Sequence, residues 1–277
     1  MNGNLYLVAT PIGNLEDITF RALRILKEVD LIAAEDTRQS LKLLNHFEIS
    51  KPLISLHRHN EDDKSDSLIE ELKSGKNIAI VTDAGTPGIS DPGEIMVKEA
   101  IKNGINVIPI PGACALINGL IASGLNTDRF VFYGFLSLDK KLRKDQFDDI
   151  KRQDKTIILY EAPHKLIKTL NDIYDNFGDI EICLAKELTK IHETFIRDNI
   201  KNILESNFEP KGEFIIIFEV HSMLESKKEI LDLNKLSYEE QYEYYKNQNM
   251  DKKEIIKKIA KNNNLSKNEI YQMFLDK

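Results

Sequence analysis

The sequence predicts an α/β fold, with two α/β domains followed by a small C-terminal helix-turn-helix. Short apolar runs alternate with stretches of 3.6-residue periodicity along most of the chain. A cluster of polar residues, glycine or proline follows almost every apolar run, as is typical where a buried strand ends. The end of the chain has helical periodicity alone, with a capping signal before each predicted helix.

The first predicted strand covers residues 5–9 and breaks at the letters TPIGN, residues 10–14. A helix is predicted from about Thr19, with Asp17 or Thr19 available as its cap, and a second strand at residues 31–34. This order describes a βαβ unit, whose strands are expected to be parallel and joined by a right-handed crossover. The same pattern predicts strands at 53–56, 78–81 and 107–110, and helices near 68–72, 94–102 and 115–123. Five strand ends therefore bring their loops to one crevice.

The strongest signal for a binding site is the loop that follows the strand at 78–81. Residues 81–93 read VTDAGTPGISDPG, so three glycines and two prolines stand close together. Glycine permits positive φ and close backbone approach, whereas proline fixes φ. Ligands of open α/β sheets bind outside the carboxyl ends of the strands, where this loop lies. A tight turn needed only for folding is the alternative interpretation.

Gly124 and Asn126 mark a predicted domain boundary. Beyond it, strands are predicted at 130–133, 156–160, 181–185 and 214–220, with a helix at 164–174. The charged segment at 139–155 is interpreted as a solvated face. We therefore assign residues 1–120 to an N-terminal α/β domain that carries the ligand loops, 121–222 to a C-terminal α/β domain, and 235–277 to a helical tail.

The tail has three helix-start signals, each a capping residue with glutamate three positions later. They are Ser237 with Glu240, Asp251 with Glu254, and Ser266 with Glu269. Residues 251–277 contain seven lysines against four acids, although the whole chain has a formal charge of −7. A small basic module that contacts phosphates is one interpretation, and a helical hairpin that stabilises the C-terminus or a dimer is the other.

Composition excludes several classes of protein. The 277 residues, 42% of them hydrophobic, can bury a full core, and they contain no apolar run long enough to span a membrane. A cytoplasmic protein with two reduced thiols, Cys114 and Cys183, is expected. The motifs HExxH, GxSxG and the P-loop are missing from the sequence, which argues against a metalloprotease, an α/β-hydrolase and a P-loop protein.

No metal site is predicted. His57 and His59 alternate at a predicted strand end, so they are expected to face opposite ways.

A series of motifs in the chain resembles one known family. The blocks are TPIGNLEDIT (10–19), AEDTR (34–38), HNE (59–61), DAGTPGISDPG (83–93), PIPG (109–112), YEAPH (160–164), AKELTK (185–190) and KGE (211–213). In this order they resemble the ribosomal RNA small subunit methyltransferase I family of the tetrapyrrole methylase superfamily. The resemblance implies two α/β domains with S-adenosylmethionine bound between them, and a homodimer. It also implies 2'-O-methylation of a cytidine in the decoding region of 16S rRNA in the 30S subunit.

The resemblance also implies roles for individual residues. The residues implied to bind the cofactor, largely through main chain, are Pro11, Ala84, Gly85, Thr86, Ile89, Cys114, Ala115, Glu161 and Leu188. The carboxylate of Asp83 is expected to accept hydrogen bonds from the ribose or the amine of the cofactor as well. Glu35 lies where tetrapyrrole methylases place a proposed proton acceptor, so it is the first candidate for the catalytic base, with Asp36 second. Such a base is expected because a ribose hydroxyl is not ionised at neutral pH. Residues expected to orient the RNA are Arg38, His59, Lys186 and Lys190.

Three alternative functions remain. A tetrapyrrole C-methyltransferase of the uroporphyrinogen or precorrin type is disfavoured, because the EDTR, HNE and ExPH blocks and the basic tail resemble the RNA-modifying branch. A non-enzymatic nucleic-acid binder accounts for the tail but not for five loops at one crevice. A protein-modifying methyltransferase such as diphthine synthase shares the fold but does not need a basic helix-turn-helix.

Overall fold

The computed structural model describes residues 1–206, 209–220, 236–246, 250–263 and 265–274. The chain forms two compact units, Met1–Val220 and His221–Lys277. Of the predicted tail, residues 235, 247–249, 264 and 275–277 lie outside the described residues. The division of the first unit into two domains at residue 120 stays a prediction.

The first unit begins with a sheet of five parallel strands, as the sequence predicts. The strands are β1 (Asn4–Val8), β2 (Leu31–Ala34), β3 (Leu53–Ser55), β4 (Ile78–Val81) and β5 (Asn106–Ile110), in the order β3-β2-β4-β1-β5. Apolar clusters cover both faces, which explains why the strands read as continuous apolar runs. Their carboxyl ends share one edge, and the polar loops start there.

Four helices accompany this sheet. They are α1 (Phe20–Glu28), α2 (Thr37–His46), α3 (Glu61–Lys73) and α4 (Glu94–Lys102). A fifth helix, α5 (Ala115–Ile121), follows β5 in the chain but packs its buried side chains on the second sheet of the unit. Thr19 caps α1 as predicted, because its hydroxyl accepts the Ala22 backbone N–H at 3.1 Å. Helix α2 is not predicted from the sequence. Its buried stripe consists of Ser40 and Leu44 alone, too few apolar residues for a periodic signal.

The second sheet of the unit is mixed. Its strands are β6 (Phe130–Gly134), β7 (Lys155–Glu161), β8 (Glu181–Lys186), β9 (Thr194–Asn199) and β10 (Phe214–Val220), in the order β6-β7-β10-β8-β9. Strands β6 and β7 are parallel, and the other neighbours are antiparallel. Helices α6 (Lys140–Ile150), α7 (Pro163–Phe177) and α8 (Ile200–Glu205) accompany it. Helices α6 and α8 and strand β9 are not predicted from the sequence; β9 is an exposed edge strand with little apolar patterning.

The second unit contains α9 (Tyr238–Lys246), α10 (Lys252–Asn262) and α11 (Lys267–Met273) around an apolar core of its own. The predicted capping residues are confirmed. Ser237 and Ser266 exchange hydrogen bonds with Glu240 and Glu269, and Asp251 accepts two backbone N–H groups at the start of α10. Among the helices described in either unit, none combines the length and the apolar character that a membrane crossing requires.

Candidate functional site

A cleft of about 570 Å³ opens between the carboxyl edge of the first sheet and the tips of strands β7, β8 and β10. This volume is in the range of sites for cofactors of nucleotide size. On the first-sheet side it is lined by Ile12, Glu35, Asp83, Ala84, Gly85, Thr86, Ile89, Ser90, Asp91, Cys114 and Ala115. On the other side it is lined by Phe135, Tyr160, Glu161, Ala162, Pro163, His164, Ala185, Leu188, Glu213, Phe214 and Ile215.

Ten predicted site residues line this cleft together: Glu35, Asp83, Ala84, Gly85, Thr86, Ile89, Cys114, Ala115, Glu161 and Leu188. Pro11 does not line it. It lines a neighbouring recess instead, together with other residues of the first turn and residues of α2. Asp83 and Ala84 line both this recess and the cleft. Asp36, Arg38, His59, Lys186 and Lys190 are not among the lining residues either. The residues predicted for the cofactor are thus mostly in the cleft, and those predicted for RNA are around it.

Hydrogen bonds to backbone carbonyls join the three loops of the first-sheet wall. Thr10 and Gly85 exchange N–H to carbonyl bonds of 2.9 and 3.1 Å, and the Thr86 hydroxyl donates to the Ala113 carbonyl at 3.1 Å. Gly85 has φ of 86°, and a Cβ there would lie 3.2 Å from the Ile12 side chain. Glycine is required because the backbone is left-handed and the first turn is close. The wall is therefore a fixed main-chain surface.

The central loop is held from behind by the turn that follows β3. The Glu61 carboxylate, 3% exposed, accepts the backbone N–H groups of Gly93 and Met96 at 2.9 and 3.0 Å. Arg58 donates to the carbonyl of Ser90, a residue with φ of 66°. Since a carboxylate at a helix N-terminus is stabilising, Glu61 both caps α4 and anchors the loop. The HNE block thus shapes the site without lining it.

The opposite wall depends on the loop after β8. Glu187 and Thr189 both have positive φ, 51° and 64°. Lys190 Nζ lies 2.9 Å from Glu187 Oε1 and 3.4 Å from Glu213 Oε2. Gly13 in the first turn packs directly on this loop, because a Cβ there would lie 2.5 Å from Lys190 Cγ and 3.0 Å from the Leu188 carbonyl oxygen. The first turn and the β8 loop therefore join the two walls.

Three carboxylates, those of Glu35, Asp83 and Asp91, belong to the first-sheet wall. The Asp83 N–H donates to Glu35 Oε2 at 3.4 Å, and the Asp36 N–H donates to Asp83 Oδ1 at 3.1 Å. Burial raises the pKa of Glu35 above its ordinary value. Burial, followed by the negative charge of Glu35, raises the pKa of Asp91 to about 6. A carboxylate whose pKa lies closer to neutrality is a stronger base, so this corner can accept a proton.

Asp36 has a different environment. It forms a bidentate pair with Arg38, with distances of 3.0 Å from Nε and 2.7 Å from Nη2. These hydrogen bonds hold the pKa of Asp36 at about 2. Asp36 also caps α2 by accepting the Arg38 N–H at 2.8 Å. Its carboxylate is therefore a weaker base than that of Glu35, whereas the guanidinium of Arg38 extends into solvent with its side chain 86% exposed.

The other residues predicted for RNA lie at the rim. Strand β3 ends at Ser55, so His57 and His59 are in a turn and not at a strand end as expected, with their ring centroids 6.1 Å apart. His59 is exposed. Lys186 ends β8 and is half-buried, and Lys190 is engaged with two carboxylates. Arg38 and His59 are thus the more accessible of the four.

Several lining residues were missed in the sequence, and Tyr160 and Asp91 are the most informative. The Tyr160 hydroxyl accepts the Leu116 N–H at 3.0 Å, and its ring lies 4.8 Å from that of Phe132 and 5.8 Å from that of Phe135. Burial raises the pKa of Tyr160. Tyr160 belongs to the YEAPH block, directly before the predicted Glu161, and Asp91 belongs to the central loop. Position at a strand end could have identified them.

Replacing Asp91 by asparagine is expected to stabilise the protein above pH 6. The raised pKa means that the folded chain binds this proton more tightly than the unfolded chain, so wild-type stability falls as the pH rises from about 4 to 6. After allowance for solvent screening, the gain in the free energy of unfolding at pH 8 is about 1 to 2 kcal/mol. Urea denaturation at pH 8 and pH 4.5 measures it, and the gain shrinks at the lower pH.

The control for this change is Asp145→Asn, since Asp145 is an exposed carboxylate on α6. This variant is expected to show the same difference in the free energy of unfolding between pH 8 and pH 4.5 as the wild type. A less stable Asp91→Asn protein at pH 8 would show that the Asp91 charge is favourable in the fold, contrary to this prediction.

Comparison with known proteins gives a consistent result. The family model of tetrapyrrole (corrin/porphyrin) methylases matches residues 4–204. Ribosomal RNA small subunit methyltransferase I of Bacillus subtilis is 46% identical over 274 residues, which cover 98% of this chain and 94% of that protein. The protein of the same name from Synechocystis is 52% identical over 218 residues, 78% of each chain.

Solved structures show the same fold at low identity. Diphthine synthase superposes with a TM-score of 0.63 at 17% identity, over 78% of this chain and 90% of that one. Uroporphyrin-III-C-methyltransferase from Thermus thermophilus gives a TM-score of 0.54 at 19% identity, over 79% and 95% of the two chains. At this identity the likeness concerns the fold alone.

Proposed function

Because this chain belongs to the tetrapyrrole methylase family, and within it to the ribosomal RNA small subunit methyltransferase I family, we propose that it methylates the ribose 2'-oxygen of a cytidine in the decoding region of 16S rRNA. The observation that carries the proposal is the 46% identity over 98% of the chain to a protein of that name. The chain is a methyltransferase, an enzyme class that in general uses S-adenosylmethionine.

The cleft fits S-adenosylmethionine in three respects. The main chain of Ala84, Gly85 and Thr86 offers a close, side-chain-poor surface to a flat nucleoside. Tyr160 and Phe135 supply an aromatic wall. Among the described residues that line the cleft, five are carboxylates and none is lysine or arginine. Such a lining favours a ligand whose reactive centre is a cation, as a sulfonium is.

When bound, S-adenosylmethionine supplies a methyl group that is already activated for displacement. The protein then has to hold the ribose oxygen in line and exclude water. Glu35 would take the proton of the 2'-hydroxyl onto its carboxylate as that oxygen bonds to the methyl carbon. The electron pair of the broken sulfur–methyl bond would stay on sulfur, so the leaving group would be the neutral thioether S-adenosylhomocysteine. Its raised pKa suits this role better than the lowered pKa of Asp36.

The RNA is proposed to approach over the rim. Arg38 is exposed beside the Glu35 corner, and its fork can bind a phosphate next to the target ribose. His59, Lys186 and Lys190 are proposed to contribute further contacts, although Lys190 has to exchange a carboxylate partner for phosphate. The intact 30S subunit as substrate, a homodimer as the active form and a cytoplasmic location belong to the same proposal.

The test is methyl transfer from labelled S-adenosylmethionine to unmodified 30S subunits, with naked 16S rRNA and uroporphyrinogen as parallel acceptors. Ribose methylation is then mapped. Label at a decoding-region cytidine ribose in 30S subunits is the expected result. Label in the porphyrinoid alone would replace the proposal by tetrapyrrole C-methylation. Binding of the cofactor without label in any acceptor would contradict the proposed substrate.

A further inference from the structure

Arg143 departs from the solvated face expected for residues 139–155. Its neighbours Lys141 and Lys144 on α6 are exposed, but Arg143 itself is 9% exposed. Its guanidinium donates through Nε to Asp172 Oδ2 at 2.7 Å and through Nη2 to Thr169 Oγ1 at 2.8 Å. Burying an arginine is costly unless its donors are paired, so this arrangement indicates a specific role.

The next link is the hydroxyl of Thr169, which is 1% exposed. A guanidinium only donates, so the hydroxyl is the acceptor towards Arg143, and its single proton is free for another partner. That partner is Glu161 Oε2, at 2.5 Å. Thr169 and Asp172 lie three residues apart on α7 and hence on the same face of that helix. Asp172 thereby holds the Arg143 guanidinium in place, and the guanidinium in turn orients the Thr169 hydroxyl.

The chain of hydrogen bonds ends at Glu161, the last residue of β7. Glu161 is among the residues that line the cleft, and it is 4% exposed. Oε1 accepts the Ala162 N–H at 2.9 Å, so each carboxylate oxygen has one protein donor. A carboxylate offers about four acceptor positions, which leaves capacity for a donor in the cleft. Polarisation along the chain strengthens each bond and holds the carboxylate in one orientation.

We infer that Arg143 is a positioning residue for the cofactor: acting through Thr169, it orients the Glu161 carboxylate to accept a hydrogen bond from S-adenosylmethionine. The inference rests on the proposed function, because it assumes that the cofactor occupies this cleft. A purely structural role, in which the four residues only pack α6 and α7 against β7, is the alternative. The two roles differ in whether cofactor affinity depends on the Thr169 hydroxyl.

The experiment compares Thr169→Val, which keeps the shape and removes the hydroxyl, with Thr169→Ser, which keeps the hydroxyl. Calorimetry of S-adenosylmethionine binding to the full chain is expected to give a Kd about tenfold higher for Thr169→Val, because a hydrogen bond to a charged group is lost. Thr169→Ser is expected to stay within about twofold of wild type. At saturating cofactor, kcat of both variants is expected to be nearly unchanged, so the loss is in KM.

Further variants of the chain distinguish the two roles more clearly. Glu161→Gln is expected to raise the Kd by itself, and Thr169→Val in that background should add little, since both changes break one chain of interactions. Lys144→Met, an exposed neighbour of Arg143, is the control and should match wild type. Thermal melting of each variant without cofactor shows whether the fold is kept. If Thr169→Val does not fold, Glu161→Gln and Thr169→Ser carry the comparison.

An unchanged Kd in folded Thr169→Val, or an unchanged Kd in Glu161→Gln, would overturn the inference and leave the proposed function in place. A Thr169→Ser protein as weak as Thr169→Val would show that the methyl packing matters and not the hydroxyl, which also overturns it. A wild-type protein that does not bind S-adenosylmethionine would overturn the inference and the proposed function together.

Discussion

Glu35→Gln is expected to lower kcat by about 100- to 1,000-fold, the contribution of a general base. The amide keeps the shape of the side chain and can still accept the Asp83 N–H, but it cannot take up the 2'-hydroxyl proton. The Kd for S-adenosylmethionine is therefore expected to stay within about twofold of wild type. Single-turnover methyl transfer to 30S subunits at saturating cofactor measures the loss, and calorimetry measures the affinity.

The pH profile adds a second readout. A base must be deprotonated to act, so the wild-type rate falls as the pH falls through the pKa of Glu35, which burial places above its ordinary value. This acidic limb is expected to be missing in Glu35→Gln. Asp36→Asn is the comparison, because the Asp36 carboxylate is paired with Arg38. The kcat of this variant is expected to fall by about tenfold or less. A Glu35→Gln enzyme with wild-type turnover would remove Glu35 from the mechanism.

Gly13→Ala is expected to weaken cofactor binding by about tenfold or more. The added Cβ meets Lys190 Cγ at 2.5 Å and the Leu188 carbonyl oxygen at 3.0 Å, so the first turn and the β8 loop have to separate. Overpacking of this kind costs about 1 to 3 kcal/mol, and a tenfold change in Kd corresponds to about 1.4 kcal/mol. Ile12 and Leu188 line the cleft on the two sides of this contact, so the separation changes the cleft itself.

Calorimetry with S-adenosylmethionine and thermal melting test this prediction. The control is Gly178→Ala. Gly178 follows α7 with φ of 78° and has nothing within 4 Å of an added Cβ, so its substitution strains the backbone without moving a wall of the cleft. It is expected to lower the melting temperature and leave the Kd unchanged. If Gly13→Ala binds the cofactor as wild type does, the contact between the two loops does not set the shape of the cleft.

The sequence predicts the first sheet well because its strands are buried on both faces. A continuous apolar run that ends in glycine, proline or polar residues marks such a strand, and each of the five strands follows this pattern. The edge strand β9 and the helix α2 lack that contrast. The side chains of both elements are mostly polar. Strand β9 is placed by its pairing with β8, and α2 is placed by the burial of Ser40 and Leu44. These are tertiary contacts, which leave no pattern in the local sequence.

The candidate site was predicted in part, through backbone and not through side-chain chemistry. The glycines and prolines of the central loop indicate a ligand because their conformations are unusual in any environment. By contrast, the raised pKa of Asp91 and the relay from Arg143 to Glu161 depend on burial and on contacts between distant residues. Such environments exist only in the folded chain, so residue type and spacing do not reveal them.

The strand order of the first sheet also affects how the protein folds. Strand β4 lies between β1 and β2 and pairs with both, although it follows them in the chain. During synthesis the slot between β1 and β2 therefore stays open, with unpaired edges, until residues 78–81 have emerged. Such non-local parallel pairing is slow and exposes the chain to aggregation. The glycine loop begins where β4 ends, so the first-sheet wall of the cleft cannot form before that insertion. Acquisition of cofactor binding during refolding therefore reports that both walls of the cleft are complete.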